Sequence, residues 1–147
     1  MSTTLLRPLP LRPPPLSRGR VAVLGLGYVG RPLALGAAAA GYEVLGYDPL
    51  PLARQQAEMG HPGRFRATGD AADLRGAAIW LICVPTPLDA RGQPDLSAVR
   101  QALSIAVRFL APGALVCLVS TCQPGATNGL CRAMLTEAGW QIGRDVF

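Results

Sequence analysis

The 147-residue chain has no lysine, so all 14 of its fixed positive charges are arginine. That absence excludes chemistry that needs an amine, whether a Schiff base, a P-loop phosphate contact or a lysine general base. Histidine is nearly missing too, with His61 alone, and Cys83, Cys117, Cys122 and Cys131 have no C-x-x-C spacing. A zinc site or a disulfide framework is therefore not expected, and no metal is assigned. No apolar run approaches the ~18 residues of a membrane span. Prolines at positions 8, 10, 13, 14 and 15 interrupt the first twenty residues, which removes the apolar core of roughly 7–15 residues that a secretory signal needs. A cytoplasmic chain with no membrane partner is the expectation. Aromatics make up only 5% of the residues and do not alternate with basic ones, so nucleic acid is not an expected partner either.

The net charge of +5 is 14 arginines less 9 acids, but Arg7, Arg12, Arg18 and Arg20 put +4 into the first twenty residues, where no acid lies. The remainder carries only +1. Residues 1–19 alternate proline, leucine and arginine, which favours extended, polyproline-like backbone with no core-facing pattern. They are expected to be a disordered tail, and residues 20–147 a single domain, within the rough guide of ~100–200 residues per domain.

Within 20–147, short apolar runs alternate with longer helical patterns, which signals a parallel α/β sheet. Strands are expected at 21–24, 43–47, 65–68, 78–84 and 114–119, and helices at 29–40, 51–59, 96–110 and 128–138. The 96–110 segment carries the clearest amphipathic spacing, with Leu96, Val99, Leu103, Val107 and Leu110 on one face. Pro94-Asp95 marks its start and Pro112-Gly113 its end. Asp145-Val146-Phe147 reads as the opening of a further strand. In the doubly wound strand order 3-2-1-4-5-6, a sheet lacking its last strand leaves 114–119 as a bare apolar edge prone to self-association.

The first strand-to-helix turn reads Gly25-Leu26-Gly27-Tyr28-Val29-Gly30. Its glycines have separate tasks: Gly25 permits the tight turn, Gly27 admits a pyrophosphate close to the backbone, and Gly30 lets helix pack on strand. Asp48 follows Gly30 by 18 residues, at the end of the second expected strand, where a carboxylate accepts hydrogen bonds from an adenosine ribose and disfavours a 2′-phosphate. NAD is thus the expected cofactor. Arg54, six residues on, is the kind of residue that receives a 2′-phosphate. Two more loops emerge on the same rim, Val84-Pro85-Thr86-Pro87 and Ser120-Thr121-Cys122-Gln123-Pro124-Gly125, because ligands collect at the carboxyl ends of parallel strands.

These residues resemble the N-terminal, NAD-binding part of the UDP-glucose/GDP-mannose dehydrogenase family. The resemblance is carried by Gly25-Leu26-Gly27-Tyr28-Val29-Gly30-Arg31-Pro32-Leu33-Ala34, by Val84-Pro85-Thr86-Pro87-Leu88-Asp89 and by Pro94-Asp95-Leu96-Ser97-Ala98-Val99. Pro112-Gly113, Ser120-Thr121 and Pro124-Gly125 complete it, and it covers everything except the tail. The Val-Pro-Thr-Pro and Pro-Asp-Leu-Ser forms look most like the branch acting on UDP-N-acetylhexosamines. A β-hydroxyacid dehydrogenase would share the glycine turn but not the two proline motifs.

The resemblance implies a Rossmann-type, doubly wound domain of an enzyme that oxidises the C6 hydroxyl of a nucleotide sugar to a carboxylate, for polysaccharide precursors. The reaction would reduce two NAD in succession through a thiohemiacetal and a thioester. It also implies that backbone around Tyr28 and Val29 holds the pyrophosphate, that Asp48 takes the ribose, and that Thr86 lies along the NAD. Thr121 would lie near the reacting centre, in a supporting role, and the family's basic contact would be shifted by a position at Arg54. In the family the nucleophilic Cys, the catalytic Lys and the acid of a Ser-Pro-Glu motif follow the point matching Phe147, as do the uridine-diphosphate site and the helix of the homo-oligomer. Val119 stands where Glu is frequent, and Cys122-Gln123 where Tyr is common. Cys122 lies on the rim but has no His or Lys to lower its pKa. The polypeptide is therefore expected to hold NAD without turnover, whether as part of such an enzyme or as a free-standing NAD module.

Overall fold

The computed structural model of the chain describes residues 19–59 and 63–147. The tail expected over 1–19 falls, but for Gly19, outside them, as does His61. Five parallel strands, β1 (Val21–Leu24), β2 (Val44–Tyr47), β3 (Phe65–Thr68), β4 (Ile79–Ile82) and β5 (Leu115–Leu118), form one sheet in the order β3-β2-β1-β4-β5. The helices are α1 (Gly30–Ala39), α2 (Pro51–Glu58), α3 (Ser97–Phe109) and α4 (Arg132–Glu137), the last opened by a π turn at Thr127–Cys131. Each expected strand and helix is present with ends within two residues of expectation, except that the segment expected as one helix over 128–138 is a π turn followed by the shorter α4.

Central strand β1 is buried at all four positions because both faces of the sheet are covered. Ala22 and Leu24 enter one core with Trp80, Ile82 and the α3 residues Val99 and Leu103. Val21 and Val23 enter the other, with Ala34 of α1 and Ala57 of α2. Trp80 is fully buried and its indole N–H donates to Ala77 C=O at 2.9 Å. Burying a side chain such as Leu24 or Ile82 contributes about 1.5–3 kcal/mol. Small residues set how closely α1 approaches the sheet: Gly30 and Ala34 are its buried positions.

Three details depart from the sequence reading. The buried stripe of α3 is Val99, Ala102, Leu103, Ala106 and Phe109, and Val107 is only half-buried. Alanine, nearly silent in a hydropathy pattern, takes the positions where helix and sheet approach most closely. A 3-10 turn at Ala71–Leu74 was not anticipated. Side chains fix it: Thr68 Oγ1 donates to Asp73 Oδ2 at 2.6 Å, and Asp70 Oδ1 accepts from Ala72 N–H at 2.9 Å. Finally, the outer edge of β5 is covered at its start. Gly113 N–H donates to Asp145 C=O at 2.7 Å, Phe147 N–H to Ala114 C=O at 2.9 Å, and Val116 N–H to Phe147 C=O at 2.7 Å. Val146 is fully buried there, so residues 145–147 pair in parallel with the start of β5.

Candidate cofactor-binding site

The sheet delivers the loops after β1, β2, β4 and β5 to one rim. Gly25 closes the turn after β1 with φ +91°, a left-handed conformation, and its N–H donates to Tyr47 C=O at 2.8 Å. A Cβ at Gly25 would stand 2.7 Å from the Cys83 carbonyl oxygen, and one at Gly30 would overlap the Gly25 carbonyl oxygen. A Cβ at Gly27 would meet nothing within 4 Å. Two of the glycines are thus needed by the protein's own packing, whereas the third keeps an open space beside the backbone. α1 begins there with no acidic residue in its first turn; Arg31 and Leu33 N–H bond back to Gly27 and Val29 C=O and Pro32 has no N–H, so the turn offers an anion the Gly30 N–H and the positive end of the helix dipole.

Asp48 at the end of β2 is 9% exposed. Its carboxylate ties two loops together, accepting Leu26 N–H at 3.0 Å through Oδ2 and Leu50 N–H at 2.9 Å through Oδ1. Arg54 donates from Nη1 to Asp48 C=O at 2.7 Å and lies against Gly69. It is not among the residues lining the three cavities around this rim, and through that hydrogen bond it braces the β2 loop.

The β4 and β5 loops are joined by hydroxyls. Thr86 Oγ1 donates to Thr121 C=O at 2.6 Å, while Ser120 Oγ lies 2.7 Å from Val84 C=O and 3.2 Å from Ile82 C=O. Ser120 had no assigned role, and its signal was only a hydroxyl residue directly after a strand. Tyr28 projects fully into solvent and Val29 is half-exposed, and both border the groove.

Two cavities share Gly25, Asp48, Leu50, Val84 and Pro85 and form a continuous groove over the rim. One, of about 380 Å³, is walled by Tyr47, Ala98, Gln101 and Ile105, where α3 contributes a face that the sequence did not reveal. The other, of about 420 Å³, runs past Gly27, Tyr28, Val29, Thr86, Ser120 and Thr121. Apart from Arg54, the expected site residues therefore adjoin this groove, Gly30 through its contact with Gly25. Its size suits a nucleotide cofactor, and the open position at Gly27 is where a pyrophosphate would meet backbone donors.

The sequence pattern of the UDP-glucose/GDP-mannose dehydrogenase family, NAD binding domain, matches residues 50–146. The chain belongs to this family. Its cofactor is accordingly NAD. The chain is 34% identical over 145 residues to UDP-N-acetyl-D-mannosamine dehydrogenase of Pyrococcus horikoshii, covering 87% of this chain and 34% of that protein. It is 32% identical over 142 residues to UDP-N-acetyl-D-glucosamine 6-dehydrogenase of Pseudomonas aeruginosa, covering 87% and 33%. The solved structure of the Pyrococcus horikoshii enzyme superposes with a TM-score of 0.79, covering 86% of this chain and 34% of that one. GDP-mannose dehydrogenase of Pseudomonas aeruginosa, solved as a ternary complex, gives 0.76 at 25% identity, covering 87% and 34%. The family domain thus spans about a third of the length of its curated relatives. A 3-hydroxyisobutyrate dehydrogenase of Mycobacterium tuberculosis shares the fold alone, with a TM-score of 0.66 at 22% identity.

No carboxylate other than Asp48 lines the groove. Cys83 lines it too, but burial, with the neighbouring Cys117 adding to it, pushes its thiol up to about 11. Burial raises Cys122 as well. Neither is disposed to be a thiolate at neutral pH. Among the described residues there is no cluster suited to a metal ion, and no helix is long and apolar enough to cross a membrane.

Proposed function

We propose that this domain holds the NAD of a nucleotide-sugar 6-dehydrogenase acting on a UDP-N-acetylhexosamine or UDP-glucose substrate. The overall reaction takes a C6 alcohol to a carboxylate for polysaccharide precursors. The observation carrying the cofactor half is the contrast among the three glycines, with Gly25 and Gly30 closed by packing and Gly27 open to the groove. The substrate half rests on the two UDP-N-acetylhexosamine dehydrogenases the chain is similar to.

In this reading the backbone around Gly27, Tyr28 and Val29 binds the pyrophosphate and Asp48 the adenosine ribose. The Thr86–Thr121 pair holds the β4 and β5 loops along the cofactor, with Thr121 supporting the reacting end. The bound nicotinamide supplies the oxidising equivalent, and the residues present here bind and orient it. With no lysine and no cysteine thiol lowered in pKa, these 147 residues bind NAD without oxidising sugar. The four unpaired thiols fit a reducing, cytoplasmic compartment, and homo-oligomerisation belongs to the same reading. The test is a calorimetric NAD titration followed by UDP-N-acetylglucosamine, UDP-N-acetylmannosamine, UDP-glucose or GDP-mannose in the same sample. NAD heat with no reduced nicotinamide is expected. Steady NAD reduction would refute the claim that the chain does not turn over, and absence of NAD heat would refute the cofactor assignment.

A further inference from the structure

Past Asp48 the groove continues into the cavity of about 380 Å³ whose lining does not include Gly27, Thr86 or Thr121. Gly25, Asp48 and Leu50 join it to the part of the groove beside the glycine turn. In the sheet β2 and β4 flank β1, so the loops bearing Pro49-Leu50 and Val84-Pro85 stand on opposite sides of Leu24 and Gly25. The result is a slot between two apolar loops. Leu50 stays 64% exposed there, which leaves apolar surface for a flat ring to cover.

α3 closes the slot with Ala98, Gln101, Ala102 and Ile105, spaced as one helical face. Gln101 carries the polar side chain of that face. Elsewhere in the lining, polar side-chain atoms belong to Tyr47 and Asp48 alone. Both Asp48 oxygens already accept backbone N–H groups, and Tyr47 has one hydroxyl on a ring that packs against the core. The Gln101 amide makes no hydrogen bond among the described residues. A carbonyl acceptor beside an NH2 donor is therefore the one paired recognition group that this cavity offers a ligand.

We infer that Gln101 reads the adenine base of the dinucleotide, accepting from its N6 amine and donating to its N7, so that the domain selects adenine over 6-oxopurines. The inference rests on the reading that the groove holds NAD with its adenosine ribose at Asp48, since the base then falls in this cavity. A side-chain amide pairs in this bidentate way with the N6/N7 edge of adenine, whereas a 6-oxopurine presents two acceptors there and sets one of them against the amide carbonyl. A site built around such a pair rejects the analogue that lacks it. Apolar walls alone would hold either base equally.

The test is calorimetric titration with NAD and with nicotinamide hypoxanthine dinucleotide, its 6-oxo analogue, in the wild type, Gln101→Leu and Gln101→Glu. Gln101 is exposed on α3, and melting midpoints equal to the wild type check that the variants are folded. The wild type is expected to bind the 6-oxo analogue about tenfold or more weakly than NAD. Gln101→Leu should weaken NAD by about tenfold and bring the two ligands within about threefold of each other, a change of ratio that general loosening of the site would not produce. Gln101→Glu keeps an acceptor for the amine and offers no donor to a 6-oxo group, so it should retain the preference for NAD. A wild type binding both ligands within about threefold, an unchanged ratio in Gln101→Leu, or a ratio lost in Gln101→Glu would overturn the inference while leaving the cofactor assignment standing. Binding of neither ligand would bring down that assignment, and base selection with it.

Discussion

Two glycine substitutions separate packing from binding at the same turn. At Gly30, an added methyl overlaps the Gly25 carbonyl oxygen and lies 3.1 Å from Cys83 Cβ. The obstacle is backbone, so α1 must shift off the end of β1, and overpacking of this kind costs about 1–3 kcal/mol. In a domain of this size each kcal/mol lowers the melting midpoint by roughly 4 °C, so Gly30→Ala should melt about 4–12 °C below the wild type. At Gly27 no heavy atom lies within 4 Å and φ is not left-handed. Gly27→Val should therefore fold with a stability change of about 0.5 kcal/mol or less. Its isopropyl group, however, fills the space where phosphate would meet backbone N–H groups. Losing two charge-assisted hydrogen bonds, at about 1.5–3 kcal/mol each, lowers affinity by about 100-fold or more. The assay is thermal unfolding with and without NAD. At 100 times Kd the ligand stabilises the wild type by about 2.7 kcal/mol, or roughly 10 °C. Gly27→Val should melt like the wild type without NAD and show no rise with it. A full NAD shift in Gly27→Val would refute the pyrophosphate cradle, and a wild-type melt in Gly30→Ala would refute the close approach of α1 to the turn.

Asp48→Ala should destabilise the fold by about 1–3 kcal/mol, since Leu26 and Leu50 N–H lose their acceptor, and should weaken NAD by about tenfold; unchanged calorimetric affinity would remove Asp48 from the site. Cys83 gives a pH dependence whose sign follows from its raised pKa. Its thiol sits above the ordinary 9.0 at about 11 in the folded chain, so its contribution is complete below pH 9 and is lost as pH rises through 11. Melting midpoints of the wild type should fall more steeply than those of Cys83→Ala between pH 9 and 11, and parallel profiles would count against the burial argument.

The order of strands and helices was legible because parallel strands covered on both faces are short continuous apolar runs punctuated by glycine and proline. Even the weak 65–68 run proved to be β3. What escaped was decided by side-chain geometry. The 3-10 turn depends on Thr68, Asp70 and Asp73 meeting one another. The sunken face of α3 depends on alanine being small. At the site, the glycine turn, Asp48, Thr86 and Thr121 converge as the motif spacing implies. The reach of Arg54 back to Asp48 C=O, the tie from Ser120 to Val84 and the wall that α3 lends the groove are three-dimensional facts with no counterpart in spacing. The β5 edge expected to be bare is covered at its start, because residues 145–147, which read as the opening of a strand, exchange hydrogen bonds with Gly113, Ala114 and Val116.

The central claim, that the groove over Gly27 and beside Asp48 is a dinucleotide site, is tested most directly by calorimetric titration of the purified chain with NAD. One binding site per chain, lost in Gly27→Val while that variant stays folded, is the predicted result. No heat at any NAD concentration, or undiminished binding in the folded variant, would contradict it.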